Sequence, residues 1–177
     1  MDIRTELDQL IRDIPDFPKK GIIFKDITPV LANSEMCLTA VTEIKNHFTS
    51  LKIDAIAAIE ARGFIIGGMI AHEMKIPFIP VRKAGKLPYE KIEQAYDLEY
   101  GTATIEMHKD SIQKGWNVLI HDDLLATGGT AEAAGKMIQQ LGGNVTGFSF
   151  LVNLVFLQGQ NRLKKSFEID PHYLISY

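Results

Sequence analysis

The stretch from Val118 to Thr130 combines an apolar run, two adjacent acids and a glycine-rich turn, in that order. This order predicts a strand that ends in Asp122 and Asp123, followed by a turn that opens a helix. Backbone N–H groups at a helix start are unsatisfied and lie at the positive end of the helix dipole, so they favour a phosphate. Adjacent acids would repel a phosphate, and they therefore face another group, such as a ribose diol or a hydrated Mg²⁺. The stretch indicates a site for a phosphorylated sugar.

Common nucleotide motifs do not account for this stretch. Gly128-Gly129-Thr130 lacks the lysine of the G-x-x-x-x-G-K-[ST] loop, and G-x-G-x-x-G follows none of the predicted strands, which disfavours an ATPase or a dinucleotide fold. A bare acid pair or a bare Gly-Gly-Thr would be read as an ordinary surface turn. The complete stretch instead resembles the phosphoribosyl diphosphate (PRPP) signature of the type I phosphoribosyltransferases. That resemblance implies that the acids hold the ribose hydroxyls and that the turn binds the 5′-phosphate through Ala126, Thr127, Gly128, Gly129 and Thr130.

Composition narrows the class of protein. The chain has 177 residues, of which 46% are hydrophobic, and this suits a single domain over residues 1–177. A net charge of −3 argues against a nucleic-acid partner. Apolar stretches are too short to cross a bilayer and residues 1–14 are charged throughout, so we expect a cytoplasmic protein that does not bind membranes. Cys37 is the only cysteine, and its helical spacing with Val41 and Ile44 predicts a buried packing residue.

Hydrophobic periodicity predicts alternating helices and strands, with residues 16–29 irregular. Alternation of this kind indicates an α/β fold with a mainly parallel, twisted sheet and helices on both of its faces. Ligands of such sheets bind at the carboxyl ends of the strands, where Glu60, Asp122 and Asp123 fall. The predicted helices cover residues 2–13, 34–51, 63–74 and 130–141, and the predicted strands cover residues 53–59, 76–81, 117–120 and 145–152.

The polar stretch of residues 84–101 does not fit this alternation. It is a long segment with Gly85 and Pro88, and loops of such length inside compact domains are commonly lids, although a plain surface excursion is the alternative. Positive charge favours the lid, since a basic patch in an acidic protein suits a polyanion such as pyrophosphate. The patch consists of Arg82, Lys83, Lys86 and Lys91.

Further segments carry the resemblance and make it more specific. These are residues 17–29, Glu60-Ala61-Arg62-Gly63-Phe64, residues 81–88 and residues 96–101. Together with the PRPP stretch they resemble the adenine phosphoribosyltransferases over roughly residues 17–163. This resemblance implies the type I phosphoribosyltransferase fold and a homodimer. It further implies a small N-terminal segment over the site, called the hood, of about residues 1–33, and a flexible lid of about residues 84–101. It also implies purine salvage, with AMP and pyrophosphate made from adenine and PRPP in the presence of Mg²⁺.

The resemblance implies an adenine pocket in the hood. Phe24 would stack on the base, the backbone of Ile23 and Lys25 would read its edge, and Leu154 would pack on the other side. Lys25 stands where the family usually has arginine, and lysine does not reproduce a planar bidentate fork. His121 stands where the family typically has an aliphatic residue, and we interpret it as a substitution without catalytic meaning.

The remaining roles also come from the resemblance. Pyrophosphate would bind to Ala61, Arg62, Arg82, Lys83 and Lys86. Glu99 would be the acid/base that manages the purine proton, and Tyr100 would help to close the lid. Mg²⁺ would arrive mainly with the substrate and lie near Asp122 and Asp123, so no dedicated protein metal site is predicted.

Two other functions stay open on the sequence. The PRPP half of the site is common to the wider family, so the acceptor could be hypoxanthine, guanine or xanthine, and only the Phe24 region and the Glu99 segment favour adenine. A regulator that senses PRPP or a nucleotide without catalysis would need a DNA-binding segment or a basic surface, and the sequence shows neither.

Overall fold

A central sheet of seven strands and a separate two-stranded hairpin form the β-structure of the protein. The computed structural model describes residues 2–98 and 101–177. Its strands are β1 (Arg12–Pro15), β2 (Ile23–Asp26), β3 (Ala55–Ile59), β4 (Phe78–Lys83), β5 (Lys91–Leu98), β6 (Gly101–His108), β7 (Asn117–Leu125), β8 (Asn144–Asn153) and β9 (His172–Ser176).

The sheet has the strand order β5-β6-β4-β3-β7-β8-β9. From β4 to β9 every neighbouring pair is parallel, while β6 is antiparallel to both β4 and β5. The carboxyl ends of β3, β4 and β7 therefore meet at one edge. The prediction of a mainly parallel sheet is confirmed.

Helices cover both faces of this sheet, as the alternation predicted. On β3, Ile56 packs in the same cluster as the helix residues Ile44 and Ile66, whereas Ala57 packs with Met137 on the opposite face. This opposite placement follows from the two-residue period of a strand. A short 3₁₀ helix covers Val155–Leu157, and the α-helices are α1 (Ile3–Leu10), α2 (Thr28–Leu31), α3 (Ser34–His47), α4 (Gly63–Met74), α5 (Gly129–Gln140) and α6 (Gly159–Phe167).

The hood contains more regular structure than the sequence predicted. The helix expected over residues 2–13 ends at Leu10, and Arg12–Pro15 pairs with Ile23–Asp26 as an antiparallel hairpin. Residues 16–29 were expected to be irregular, so this expectation is wrong for β2 and for the start of α2. Four-residue strands are too short to give a readable hydrophobic period, and pairing between them stabilises them here.

The expected loop of residues 84–101 is wrong for about half of its length. Lys91–Leu98 forms β5, which pairs with β6 in continuous antiparallel register. Because β5 is the outer strand of the sheet, it needs few apolar residues. Its polar sequence therefore gave no strand pattern to recognise. Only residues 84–90 connect β4 to β5 without a strand. Strands β6 and β9 and helix α6 were also not predicted.

Cys37, on α3, is 5% exposed and lies in the core, which confirms its prediction as a packing residue. Across the part of the chain that the structure describes, none of the helices is long and apolar enough to span a bilayer.

Candidate active site

The candidate site lies at the edge where β3, β4 and β7 end. The segment Glu60-Ala61-Arg62 leaves β3, the basic connection of residues 84–90 leaves β4, and the turn of residues 126–128 leaves β7. Parallel pairing of β4 with β3 and of β3 with β7 brings these three segments together. Sequence positions that are far apart thus form one concave edge of the sheet.

The glycine-rich turn has the backbone geometry of an anion site. Gly128 has a φ of +78°, which favours glycine, and a Cβ at this position would lie 2.9 Å from the carbonyl oxygen of Gly159. Helix α5 begins at Gly129, and no side chain of the described residues caps it. Its first N–H groups are therefore available to an external anion.

Asp122 and Asp123 lie within β7, which continues to Leu125 rather than ending before the acids. This is a correction to the predicted strand end. Asp123 is 5% exposed and Asp122 is half-buried, and the N–H of Asp123 donates to Asp122 Oδ1 over 2.9 Å. Burial, and then the charge of Asp123, raise the pKa of Asp122 well above its usual range.

Arg62 links the acids to the hood. Its Nε lies 2.6 Å from Asp123 Oδ2, an ion-pair contact without good hydrogen-bond geometry. Its guanidinium carbon lies 5.1 Å from the centre of the Phe24 ring, which is within the range of a cation–π interaction. Neither contact of Arg62, with Asp123 or with Phe24, was predicted from the sequence, which assigned Arg62 to pyrophosphate.

Glu60, at the end of β3, holds Arg82 and Lys83 at the end of β4. The sequence did not suggest this role. Its carboxylate accepts a hydrogen bond from Arg82 Nε over 2.8 Å and another from the N–H of Lys83 over 2.9 Å. Burial raises the pKa of Glu60, but the hydrogen bonds from Arg82 and Lys83 outweigh burial and hold the pKa below its ordinary value. The peptide bond between Glu60 and Ala61 is cis.

The basic patch divides into paired and unpaired cations. Arg82 is paired with Glu60 and Lys91 with Glu106, whereas Lys83 and Lys86 are exposed and, among the described residues, not in ion pairs. Lys83 and Lys86 are the cations that an incoming polyanion meets first.

A cavity of about 720 Å³ opens between the hood and the turn after β7. This volume is within the usual range for small-molecule sites. Ile23, Lys25 and Leu154, all predicted for adenine, line it together with Ala126 and Thr127, predicted for the 5′-phosphate. The two halves of the predicted site therefore share one cavity. Sequence reasoning missed five further lining residues, Gly21, Ile22, Phe156, Leu157 and Tyr177.

Phe24 is not among the residues that line this cavity. Its ring contacts Arg62 and also Phe17, whose ring is edge-on at 5.2 Å between centroids. Phe24 is half-buried at the boundary between the hood and the paired acids.

Tyr177 is the main wall residue that the sequence did not single out, since no motif surrounds it. Its ring lies 3.5 Å below the ammonium of Lys25, and its hydroxyl donates to Asp8 Oδ1 over 2.9 Å. Lys25 also pairs with Asp13 over 2.6 Å. The side chain of Lys25 is therefore already engaged by the Asp13 carboxylate and the Tyr177 ring.

His121 is fully buried, with Nδ1 2.9 Å from Ser149 Oγ. Burial lowers its pKa to about 3, so the ring is neutral near pH 7. Its position in the interior is in keeping with its interpretation as a residue without a catalytic role. Glu99 and Tyr100, the predicted acid/base and lid residues, lie outside the described residues.

Known proteins of one family resemble this chain over most of its length. The phosphoribosyl transferase domain family matches residues 33–168. The chain is 54% identical over 153 residues to the adenine phosphoribosyltransferase of Cytophaga hutchinsonii, covering 86% of this chain and 84% of that protein. It is also similar to the crystal structure of the adenine phosphoribosyltransferase of Thermoanaerobacter pseudethanolicus, with a TM-score of 0.93, 46% identity and coverage of 98% and 99%. The Saccharomyces cerevisiae enzyme, complexed with an imino-altritol bisphosphate and adenine, gives a TM-score of 0.88 at 37% identity, covering 97% and 98% of the two chains.

Proposed function

The chain belongs to the adenine phosphoribosyltransferases, within the phosphoribosyl transferase domain family, and we propose from this premise that it makes AMP and pyrophosphate from adenine and PRPP. Its role would be purine salvage. The observation that carries the proposal is that an uncapped helix start, two acids and a basic connection lie at one edge of the sheet, where the turn after β7 also lines the cavity. A 5′-phosphate, a ribose diol and a diphosphate are the groups that such an arrangement suits.

We propose that PRPP binds along the sheet edge. Its 5′-phosphate would accept N–H bonds from residues 126–130 at the start of α5, and its ribose hydroxyls would meet Asp122 and Asp123. Its diphosphate would meet the backbone at Ala61 and the cationic side chains. The cations are Arg62, Arg82, Lys83 and Lys86.

Adenine would occupy the cavity beside the hood. The backbone groups of Ile23 and Lys25 offer donors and acceptors to the purine edge, and Leu154 offers an apolar surface to its face. Phe24, which follows the lining residue Ile23 in β2, would stack on the base from beside the cavity. The engagement of Lys25 with Asp13 and Tyr177 supports a backbone role for this residue rather than a side-chain contact.

The proposed reaction exchanges one bond at ribose C1. The bond from C1 to the pyrophosphate oxygen breaks, the bond from C1 to adenine N9 forms, and the N9 proton leaves. A largely broken leaving-group bond gives an oxocarbenium-like transition state, so charge stabilisation and positioning supply most of the acceleration. Arg62, Lys83 and Lys86 would stabilise the negative charge that develops on pyrophosphate. Glu99 would take up the purine proton, and Tyr100 would help to close the site.

Mg²⁺ fits the donor set of this site as a substrate-borne ion. Magnesium is commonly held by one or two carboxylates together with substrate phosphates. Asp122 and Asp123 supply two carboxylates, and groups of three or more acidic, histidine or cysteine ligands are absent from the described residues. When bound, Mg²⁺ would neutralise charge on the diphosphate as it departs.

A homodimer in the cytoplasm completes the proposal, on the strength of the family resemblance. Exposed apolar side chains on neighbouring elements support self-association, since Ile65 on α4 is 47% exposed and Phe78 on β4 is 36% exposed. The mass in solution, measured by light scattering, tests the dimer.

The experiment that tests the function measures AMP formation from PRPP, Mg²⁺ and adenine. Parallel reactions contain hypoxanthine, guanine, xanthine or orotate, and one reaction omits magnesium. We expect magnesium-dependent turnover that is selective for adenine. Turnover with another base would change the acceptor, and binding of PRPP without turnover would favour a regulator.

A further inference from the structure

Glu106 on β6 has a fully buried carboxylate that lies behind the basic connection of residues 84–90. Its Oε1 accepts N–H bonds from Lys86, over 2.7 Å, and from Leu87. Its Oε2 accepts the N–H of Gly85 over 3.0 Å and lies 2.6 Å from Lys91 Nζ. Both oxygens of the carboxylate are therefore used twice, by three consecutive backbone amides and one ammonium.

These donors keep Glu106 charged in the interior. Burial raises its pKa, but the contacts with Lys91 and the three amides outweigh burial and bring the pKa to about 2. Consecutive N–H groups that point into one concavity form a typical anion site. Here the concavity is filled by the protein's own carboxylate, so the connection is folded around an internal anion.

The same contacts fix the residues that face the site. Arg82 lies opposite Glu106 in the ladder between β4 and β6, and its Nη1 donates to the carbonyl oxygen of Lys86 over 3.2 Å. The N–H of Lys86 is held by Glu106 on the other side. The backbone of Lys86 is thus anchored at both its N–H and its carbonyl group, which sets the point from which its exposed ammonium extends.

We propose that Glu106 is a positioning residue for the diphosphate of the sugar donor, acting through Lys86 and its neighbours. The proposal rests on the proposed function, because it needs the basic connection to contact pyrophosphate. It adds that the amides of residues 85–87 are occupied internally. Substrate oxygens are therefore contacted by the side chains of this connection and not by these three amides.

Glu106→Gln tests the proposal with almost no change in size. Gln has one acceptor oxygen, so its NH₂ group must face either the Gly85 N–H and Lys91 or the N–H groups of Lys86 and Leu87. The connection must shift, and a misplacement of about 1 Å can cost about 10²-fold in rate. We expect KM for PRPP and the dissociation constant for pyrophosphate, measured by titration calorimetry, to rise by roughly 10-fold or more. KM for adenine should stay within about twofold of the wild-type value, because no contact of the adenine cavity changes.

Asp54→Asn is the matched control. Asp54 is also a largely buried carboxylate that accepts a backbone N–H, that of Asn117, but it lies at the opposite edge of the sheet. Its loss should lower thermal stability without a selective effect on PRPP. Lys91→Met is a second, milder variant, which removes one of the four donors and should raise KM for PRPP by about 2- to 5-fold.

Wild-type turnover in the same assay tests the proposed function separately. If the wild type makes AMP and folded Glu106→Gln keeps the wild-type KM for PRPP, the positioning role is refuted. Equal changes in both KM values, as expected from general destabilisation, would also refute it. If Glu106→Gln does not fold, KM for PRPP of the Lys91→Met variant tests the proposal instead. An unchanged KM in that variant overturns it.

Discussion

Arg62 Nε lies 2.6 Å from Asp123 Oδ2, while the Arg62 guanidinium also lies 5.1 Å from the Phe24 ring centre. One side chain thus connects the paired acids at the end of β7 with the aromatic residue of the hood. In the proposed reaction, these are the neighbours of the ribose and of the base. Arg62 is therefore placed to couple the two halves of the site.

Arg62→Lys should lower kcat/KM by about 10²-fold, because an ammonium does not contact Asp123 and Phe24 together with the leaving group. Steady-state kinetics with both substrates measures the effect. Arg12→Lys is a suitable control, since Arg12 is an exposed partner of Asp26 at 3.7 Å and should tolerate the change. A loss of less than about threefold in Arg62→Lys would remove Arg62 from the proposed mechanism.

Phe24→Ala should raise KM for adenine by roughly 10-fold, since stacking of a base on an aromatic ring contributes about 1–3 kcal/mol. KM for PRPP should change little, and this difference is the internal control. Phe24→Trp keeps a stacking surface and should retain most of the affinity. An equal rise in both KM values would show that Phe24 supports the hood rather than the base.

Gly63→Ala should disturb Asp122. A Cβ at residue 63 would lie 2.8 Å from Asp122 Oδ1 and 3.0 Å from Asp122 Cα, so the acid or the helix start must shift. We expect kcat/KM to fall by about 10-fold or more. Gly68→Ala, on the same helix, meets no described atom within 4 Å, and it should leave activity unchanged and add about 0.5–1 kcal/mol of stability. Similar activities of the two variants would contradict the close packing of Gly63 against Asp122.

Glu99→Gln tests the role that the family resemblance gives to this residue. Removal of a positioned acid or base typically costs about 10² to 10⁴ in rate, and we expect a fall in kcat of this size. Rapid-quench measurement of AMP formation separates the chemical step from product release. Turnover within a few-fold of the wild type would exclude Glu99 as the acid/base.

The stability of the protein should fall in mild acid because of His172. Burial, and then the nearby His47, lower the pKa of His172 to about 4 from an ordinary value of 6.5. The unfolded chain binds this proton below pH 6.5 and the folded chain does not until about pH 4. The contribution is thus complete above pH 6.5 and is lost as the pH falls through this window, by about 3 kcal/mol at most.

His172→Phe should remove this part of the pH dependence. The substituted ring can still stack on His47, which lies 3.8 Å away between ring centroids. Urea unfolding at several pH values between 4 and 7 measures the slope for each protein. Parallel slopes in the wild type and the variant would show that His172 does not titrate differently on folding.

Local patterns predicted much of the fold. The helices at residues 34–47, 63–74 and 129–140 and the buried strands β3, β7 and β8 were readable, because each has an apolar face or run. The polar outer strand β5 and the short strands of the hood were not readable. Their stability comes from pairing with neighbours rather than from their own composition.

The sequence by itself determined the chemistry of the site: an acid pair and a glycine turn in one stretch, and cations near residues 82–86. Local order suffices for such features, since a helix start and its dipole are properties of one segment. Only the tertiary structure determined which of these cations form ion pairs within the described residues. Arg82 pairs with Glu60 and Lys91 with Glu106, whereas Lys83 and Lys86 pair with no described residue. The tertiary structure also placed the Tyr177 ring, from the last residue of the chain, directly against the Lys25 ammonium. Such pairings join residues far apart in the chain, and their geometry depends on the strand order and burial that the whole fold establishes.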